Sequence, residues 1–292
     1  MSAKPSAYGG QAVLEGVMIR GRRTLALACR RPDGTIYRYR EVLDSPLTRS
    51  RLARAPFVRG IVILWESLRY GMRMLMRSAD VQLAEAAPEA GGGASAGFMG
   101  VGLLVGLALF VGVPYVVTGL LRAAVPSSLA LNLAEGVLRL LLLLGYLAAI
   151  SLMPDIRRVF AYHGAEHMTI HAFEHGDPLD VPHVSPYPTA HPRCGTAFLL
   201  FVVVVAIAAF AFVPRSGLLV DLVVRIVLVV PVAAISYELL RLGAGHETNP
   251  LMRLAIAPGL LLQAITTRRP DDSMIEVAIA SLEEALAGDA AA

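Results

Sequence analysis

Six of the seven histidines of this 292-residue chain fall between His163 and His191, and four of them lie in the single stretch YHGAEHMTIHAFEHG, residues 162–176. Imidazoles gathered this way bind a divalent metal, form a face that titrates near neutrality, or are interfacial polarity without a task. Placed on a helix from Asp155, after Pro154, residues His163, Glu166, His167, Ile170, His171 and Glu174 share an arc of roughly 140°. One face therefore offers three imidazoles and two carboxylates. His163-Gly-Ala-Glu166-His167 also reads H-x-x-E-H, the inverted zincin order in which two histidines hold the ion and the glutamate activates water.

Helix geometry restricts the ligand set. His163 and His171 are eight residues apart, about 12 Å along the axis, and Zn–N bonds of about 2.0–2.1 Å do not readily bring both to one ion. The pair His163 and His167 is preferred, with Glu166 as general base, because only it has a glutamate in the required register. His167 and His171 with Glu174 are the internal competitor. His175 and His183 read as loop residues. Further ligands must come from elsewhere: His191 and Cys194 of HPRCG, Glu238 of SYE, and His246 and Glu247 of GHETN. A thiol at a helix start is the better metal ligand for that position. The expected cofactor is a divalent metal, zinc first.

Those groups converge only if the chain is organised by a membrane. Mean hydropathy is +0.60 and 17% of residues are charged, against about a quarter in soluble domains. Gly97–Leu121, Leu133–Met153, Gly195–Val213 and Leu218–Leu240 each read as an apolar run long enough to cross roughly 30 Å of hydrocarbon. The first apolar run long enough to matter starts near residue 97, so no secretory signal is expected. Residues 1–96 carry fifteen Lys and Arg against eight acids. Arg157, Arg158 and Arg193 mark the 154–193 loop, and Arg241, Arg253, Arg268 and Arg269 the tail. Basic residues mark the cytoplasmic side, which places the N-terminus, the histidine loop and the C-terminus there. The net charge of +3 reads as orientation and contact with anionic lipid, not as a nucleic-acid footprint.

The remaining segments follow from local pattern. RPDG between alternating runs predicts a hairpin, within a β-rich unit over residues 8–44. Pro46–Ala79 is expected to be an amphipathic helix, at the headgroup level or on an ordinary soluble surface. Glu135 with Arg139, and Asp221 with Arg225, have the spacing of helix ion pairs inside spans. Cys29 reads as a small core residue, and two isolated cysteines argue for a reducing compartment. Pro258 and Gly259 interrupt a short apolar stretch expected to lie along the interface. The chain is thus expected to be mainly α, a polytopic membrane protein with about four transmembrane helices. Its divisions are a β-rich cytosolic unit (1–45), an interfacial helix (46–84), a linker (85–97), transmembrane helices one and two (98–153), the cytosolic histidine segment (154–193), helices three and four (194–242) and interfacial and cytosolic C-terminal helices (243–292).

GGQAVLEGVMIRG, YHGAEHMTIHAFE, HPRCGTAFL, SYELLR and TTRRPDDSMIEVAI, in this order, resemble the YqhQ-like family of bacterial multi-pass membrane proteins, which is uncharacterised and described only as a predicted metal-dependent enzyme. The resemblance runs from Gly9 to Ala278. It implies a bacterial inner-membrane location and a metal site on the His163–His171 segment, but no substrate. The chain departs from the family at Arg269, where an acid is usual, and no role is assigned to that position. Glu15, in the glycine-bounded first motif, is a further candidate for reaching the metal face, alongside Gln11.

The leading expectation is a metal-dependent hydrolase at the cytoplasmic membrane face, acting on a lipid or a membrane-protein segment. The rivals are a non-enzymatic metal carrier, sensor or transport component, and a membrane scaffold with a structural metal. The expected surroundings are the bilayer and either substrate; a homo-oligomer is compatible with the sequence, and no nucleic-acid partner is expected.

Overall fold

The computed structural model describes residues 8–43, 50–83, 101–102, 104–244 and 250–291. The chain opens with an antiparallel meander of β1 (Gly9–Val13), β2 (Gly16–Arg20), β3 (Thr24–Arg30) and β4 (Ile36–Val42) in the order β1-β2-β3-β4. The RPDG segment closes the β3–β4 hairpin, where Asp33 Oδ1 accepts from Thr35 N at 2.8 Å and Gly34 takes φ +87°. The two central strands are buried on both faces, which explains why TLALACR reads as a continuous apolar run.

Helix α1 (Val58–Leu83) covers one face, where Val13, Met18, Leu25 and Leu27 meet Tyr70 and Met74. It starts later than the pattern of Pro46–Ala79 predicts. Phe57 at φ 68° turns the chain immediately before it, and residues 44–49 lie outside those described. The other face of the sheet packs against the histidine helix, named α4 below, and the last helix of the chain. Val17, Ile19, Ala26 and Ala28 there meet Ala161, Tyr162 and Ala165 from the first, and Ile275, Ala278 and Leu282 from the second. Cys29 is buried in the sheet, and burial pushes its thiol up to about 11.

The apolar helices follow α1. They are α2 (Leu104–Ala123, with a π-helical turn at Ala108–Gly112) and α3 (Ser128–Ile150). After α4 (Pro154–His175) and the short α5 (Val181–Val184) come α6 (Thr196–Ala211) and α7 (Leu218–Ala244). The chain ends with α8 (Pro250–Thr266) and α9 (Asp272–Ala291). Among the described residues, three helices have the length and composition to cross a membrane: Leu104–Ala123, Ser128–Ile150 and Leu218–Leu242. The run Gly195–Val213 yields a helix of 16 residues, about 24 Å long and short of the hydrocarbon thickness. Helix α8 continues through Pro258 instead of stopping there, and packs Leu262 against Leu143, Leu147 and Val203 of α3 and α6.

Within the apolar helices, Glu135 and Arg139 form the ion pair that their spacing predicts, while Arg225 turns its side chain to Glu135 instead of pairing with Asp221. Glu135 accepts from Arg139 Nη2 at 2.7 Å, from Arg215 Nη2 at 2.8 Å and from Arg225 Nη2 at 2.8 Å. Asp221 instead takes the Tyr115 hydroxyl at 2.5 Å and the Ser216 N–H at 2.9 Å. Arg225, with 0% exposure, reaches across to α3 because a buried guanidinium needs a carboxylate and several acceptors at once.

Candidate metal centre

Helix α4 positions the imidazoles. Pro154 starts it, where a missing N–H costs nothing, and Gly176 at φ 79° ends it in the left-handed conformation. Gly164 lies between His163 and Glu166, and a Cβ there would stand 2.2 Å from the Arg268 carbonyl oxygen. The absent side chain lets the segment after α8 lie directly on α4, and Arg268 N donates to Phe160 O at 2.9 Å. That contact delivers the Thr266 carbonyl to His163.

Both leading histidines are held by the same device. His163 Nδ1 lies 2.9 Å from Thr266 O, and His167 Nδ1 lies 2.6 Å from Thr189 O. A carbonyl only accepts, so each Nδ1 carries a proton, and in the neutral ring Nε2 keeps its lone pair. Ligating histidines are oriented in this way. His163 Nε2 stands 3.3 Å from Cys194 Sγ, and one donor atom from each of His163, His167 and Cys194 lies within 4.8 Å of the others. A tetrahedron with bonds of about 2.0–2.3 Å has edges of ~3.3–3.8 Å. Separations of up to 4.8 Å would have to close by about 1 Å for the three to hold one divalent ion. Cys194 precedes α6, and its sulfur accepts from Thr196 N at 3.4 Å.

The other expected residues take distinct places. Glu166, 4% exposed, has Oε2 3.5 Å from His167 Nε2. His171 is turned away from the donors: its Nε2 meets Ala190 O at 2.9 Å and its ring stacks on Tyr187 with centroids 5.8 Å apart. Burial lowers its pKa to about 4. His191 lies between, its ring centroid 5.7 Å from that of His167 and 4.5 Å from that of His171. Glu174 is ion-paired with Arg193 and lies 3.5 Å from His191 Nε2. Glu15 sits at the β1–β2 turn, bound by Arg158 Nε at 2.6 Å, and does not join the donors. Glu238 is likewise not brought to them. Its carboxylate on α7 accepts from Arg59 Nε at 2.8 Å and from Phe57 N at 3.0 Å, in a bidentate pair with α1. His246 and Glu247 lie outside the described residues.

Several positioning residues escape a reading by residue type. Gln263 on α8 is buried and grips His191 from both sides, accepting its N–H at 2.8 Å and donating to its carbonyl at 3.0 Å. A lone glutamine within APGLLLQAI is a signal that a partner is required. Thr189 and Thr266 act only through backbone carbonyls, and no pattern of side chains reveals that.

The donors lie on the wall of a cavity of about 710 Å³. Its sides are Gly9–Ala12 of β1, Ile63, Ser67 and Tyr70 of α1, and the His163–Ile170 face of α4.

A family model described as "Protein of unknown function (DUF1385)" matches residues 55–288. The uncharacterized protein YqhQ of Bacillus subtilis (strain 168) is 35% identical over 295 residues, covering 97% of this chain and 93% of that protein. No solved structure matches the chain.

Proposed function

From the premise that the chain belongs to the DUF1385 family, whose function is unknown, we propose that it is a membrane-embedded, zinc-type hydrolase. Its site lies at the cytoplasmic face of a bacterial inner membrane, and its substrate is a lipid or a membrane-protein segment. The observation that carries this reading is the grouping of His163, His167 and Cys194 within 4.8 Å, with each imidazole Nδ1 already committed to a carbonyl. Imidazole nitrogen and cysteine sulfur are the donor types that zinc prefers.

A divalent ion held there supplies Lewis acidity and makes water acidic enough to react near neutral pH. His163 and His167 offer Nε2, and Cys194 offers Sγ. Glu166, whose Oε2 lies 3.5 Å from His167 Nε2, would take the proton from water as its oxygen attacks a carbonyl or phosphoryl centre and return it to the leaving group.

The membrane setting rests on hydropathy and charge. Helix α6 is read as the fourth span despite its length, which gives an even number and puts both termini with the basic loops. Helix α1 exposes Ile61, Leu64, Trp65 and Leu68 and is tied by Arg59 to Glu238 near the end of α7. That supports placing it at the headgroup level.

Elemental analysis of purified protein is the test. About one zinc per chain, lost in His163→Ala and retained in Glu166→Gln, is the expected result; metal-free protein with unaltered behaviour in His163→Ala removes the proposal. A second reading, a non-catalytic metal carrier, draws on the adjacent rings of His167, His191 and His171. It requires that Glu166→Gln leave the biological activity intact.

A further inference from the structure

Strand β1 is one of the two edges of the sheet, and it borders the same cavity as the three donors. Hydrogen-bond parity shows what that edge offers. Arg30 N donates to Glu15 O at 2.8 Å, so Glu15, Val17 and Ile19 turn their backbone groups toward β3. Gly16, Met18 and Arg20 therefore bond β1, at Val13, Gln11 and Gly9 in the observed register. Gly10 and Ala12 are left with N–H and C=O directed away from the sheet. Among the described residues nothing bonds them.

Exposed edges are ordinarily blunted by charges, proline or a bulge, because an unpaired ladder recruits other chains. The sequence GGQAV carries none of these. Position 10 also abuts the chemistry directly: a Cβ on Gly10 would stand 2.8 Å from Glu166 Cγ. Removing that side chain seats Glu166 beside the open edge, with His163 and His167 on the same helix face.

Resting on the metal-centre reading above, we propose that the substrate is an extended polypeptide segment that adds to β1 as a fifth strand. Its backbone bonds Gly10 and Ala12, and a peptide carbonyl is laid across Glu166, His163, His167 and Cys194. Strand addition supplies affinity through main-chain hydrogen bonds and leaves side-chain choice to the pocket walls. Ile63, Phe160 and Ile170 make those walls apolar, which suits a segment drawn from a membrane protein. An acyl chain offers no donors or acceptors to the edge, so the unbonded groups of Gly10 and Ala12 favour a peptide over a lipid.

The test uses full-length, zinc-loaded protein in detergent and three hydroxamates: acetohydroxamate, dodecanoyl hydroxamate and an alternating leucine–alanine tetrapeptide hydroxamate. The tetrapeptide is expected to bind about tenfold or more tighter than acetohydroxamate, the gain from one or two net hydrogen bonds. Methylating alternate backbone nitrogens of the peptide is expected to erase that gain. A gain that survives methylation overturns strand addition, and a larger gain for the dodecanoyl compound assigns the cavity to a lipid. Ala12→Pro removes an outward N–H at an edge position that tolerates proline, and is expected to lose the gain while keeping its zinc. The same peptide without its hydroxamate is expected to slow hydrogen exchange at Gly10 and Ala12. Slowed exchange in a protein that binds no zinc would sink the metal centre and leave strand addition standing; unchanged exchange would sink strand addition, whatever the zinc content.

Discussion

His163 Nε2 and Cys194 Sγ stand 3.3 Å apart across 31 residues of chain, one on α4 and the other just before α6. The contact exists because Gln263 fixes the His191 backbone and because the Thr266 carbonyl turns the His163 ring. If it is half of a metal centre, cobalt-substituted protein will show thiolate-to-cobalt charge-transfer absorption. Cys194→Ser is expected to lose that band and to weaken metal binding by more than about 100-fold, beyond the 10–100-fold typical of supporting residues. An unchanged spectrum would remove Cys194 from the ligand set.

Gln263→Ala is a separate expectation. It removes the Gln263 acceptor of the buried His191 N–H, at a cost of about 1–3 kcal/mol before relaxation, and one of two donors to the His191 carbonyl, which still accepts from Cys194 N at 3.2 Å. Chemical denaturation is expected to show a loss in that range. Metal affinity should fall about 10–100-fold, although Gln263 contacts no donor atom among the described residues. A destabilised protein with unaltered metal affinity would show that His191 and Cys194 are positioned independently.

Gly164→Ala tests the packing that delivers Thr266. With the Arg268 carbonyl 2.2 Å from the new Cβ, the backbone after α8 must move, at about 1–3 kcal/mol for overpacking. The variant is expected to loosen His163 and release metal more readily. Thermal melts with and without chelator would reveal this; a variant as stable and as metal-retentive as the parent would contradict the geometry.

The sequence alone made some of this readable and hid the rest for identifiable reasons. His163, Glu166 and His167 are legible because helical periodicity puts them on one face, and Cys194 because its residue type and its place before an apolar run are both visible. Glu238 shared the expected membrane side, yet α7 turns it toward Arg59; a helix has more than one face, and no local pattern states which one meets a distant segment. The turn signal between alternating runs foresaw the strands around RPDG. That α9 would cover them depends on a pairing between the two ends of the chain. Gly164 and Gly10 matter by lacking atoms, which spacing arguments about functional groups do not register.

Among the described residues, Glu135 is the single carboxylate bonded to Arg139, Arg215 and Arg225. Removing one partner of a buried ion cluster leaves charge uncompensated, a loss of roughly 3–5 kcal/mol. Glu135→Gln is therefore expected to reduce folded yield sharply, while zinc content per folded chain stays the same because the cluster and the donors belong to different helix contacts. Loss of metal from chains that remain folded would show that the two ends are coupled.

Asp289 joins the last helix to the sheet: its carboxylate accepts from Arg22 N at 2.7 Å, from Arg23 N at 2.9 Å and from the Tyr8 hydroxyl at 2.7 Å. Burial alone would raise its pKa, but these donors more than offset that and hold it below the usual carboxylate range. In the unfolded chain an aspartate titrates near ~3.9. The stabilisation by Asp289 is then complete above that value and disappears as the pH falls through the lowered folded one. Asp289→Ala is expected to cost on the order of 1–3 kcal/mol at neutral pH and to show a shallower loss of stability below about pH 4. Denaturation measured across that window checks it, and parallel pH profiles for the two proteins would mean that another carboxylate controls the docking of α9.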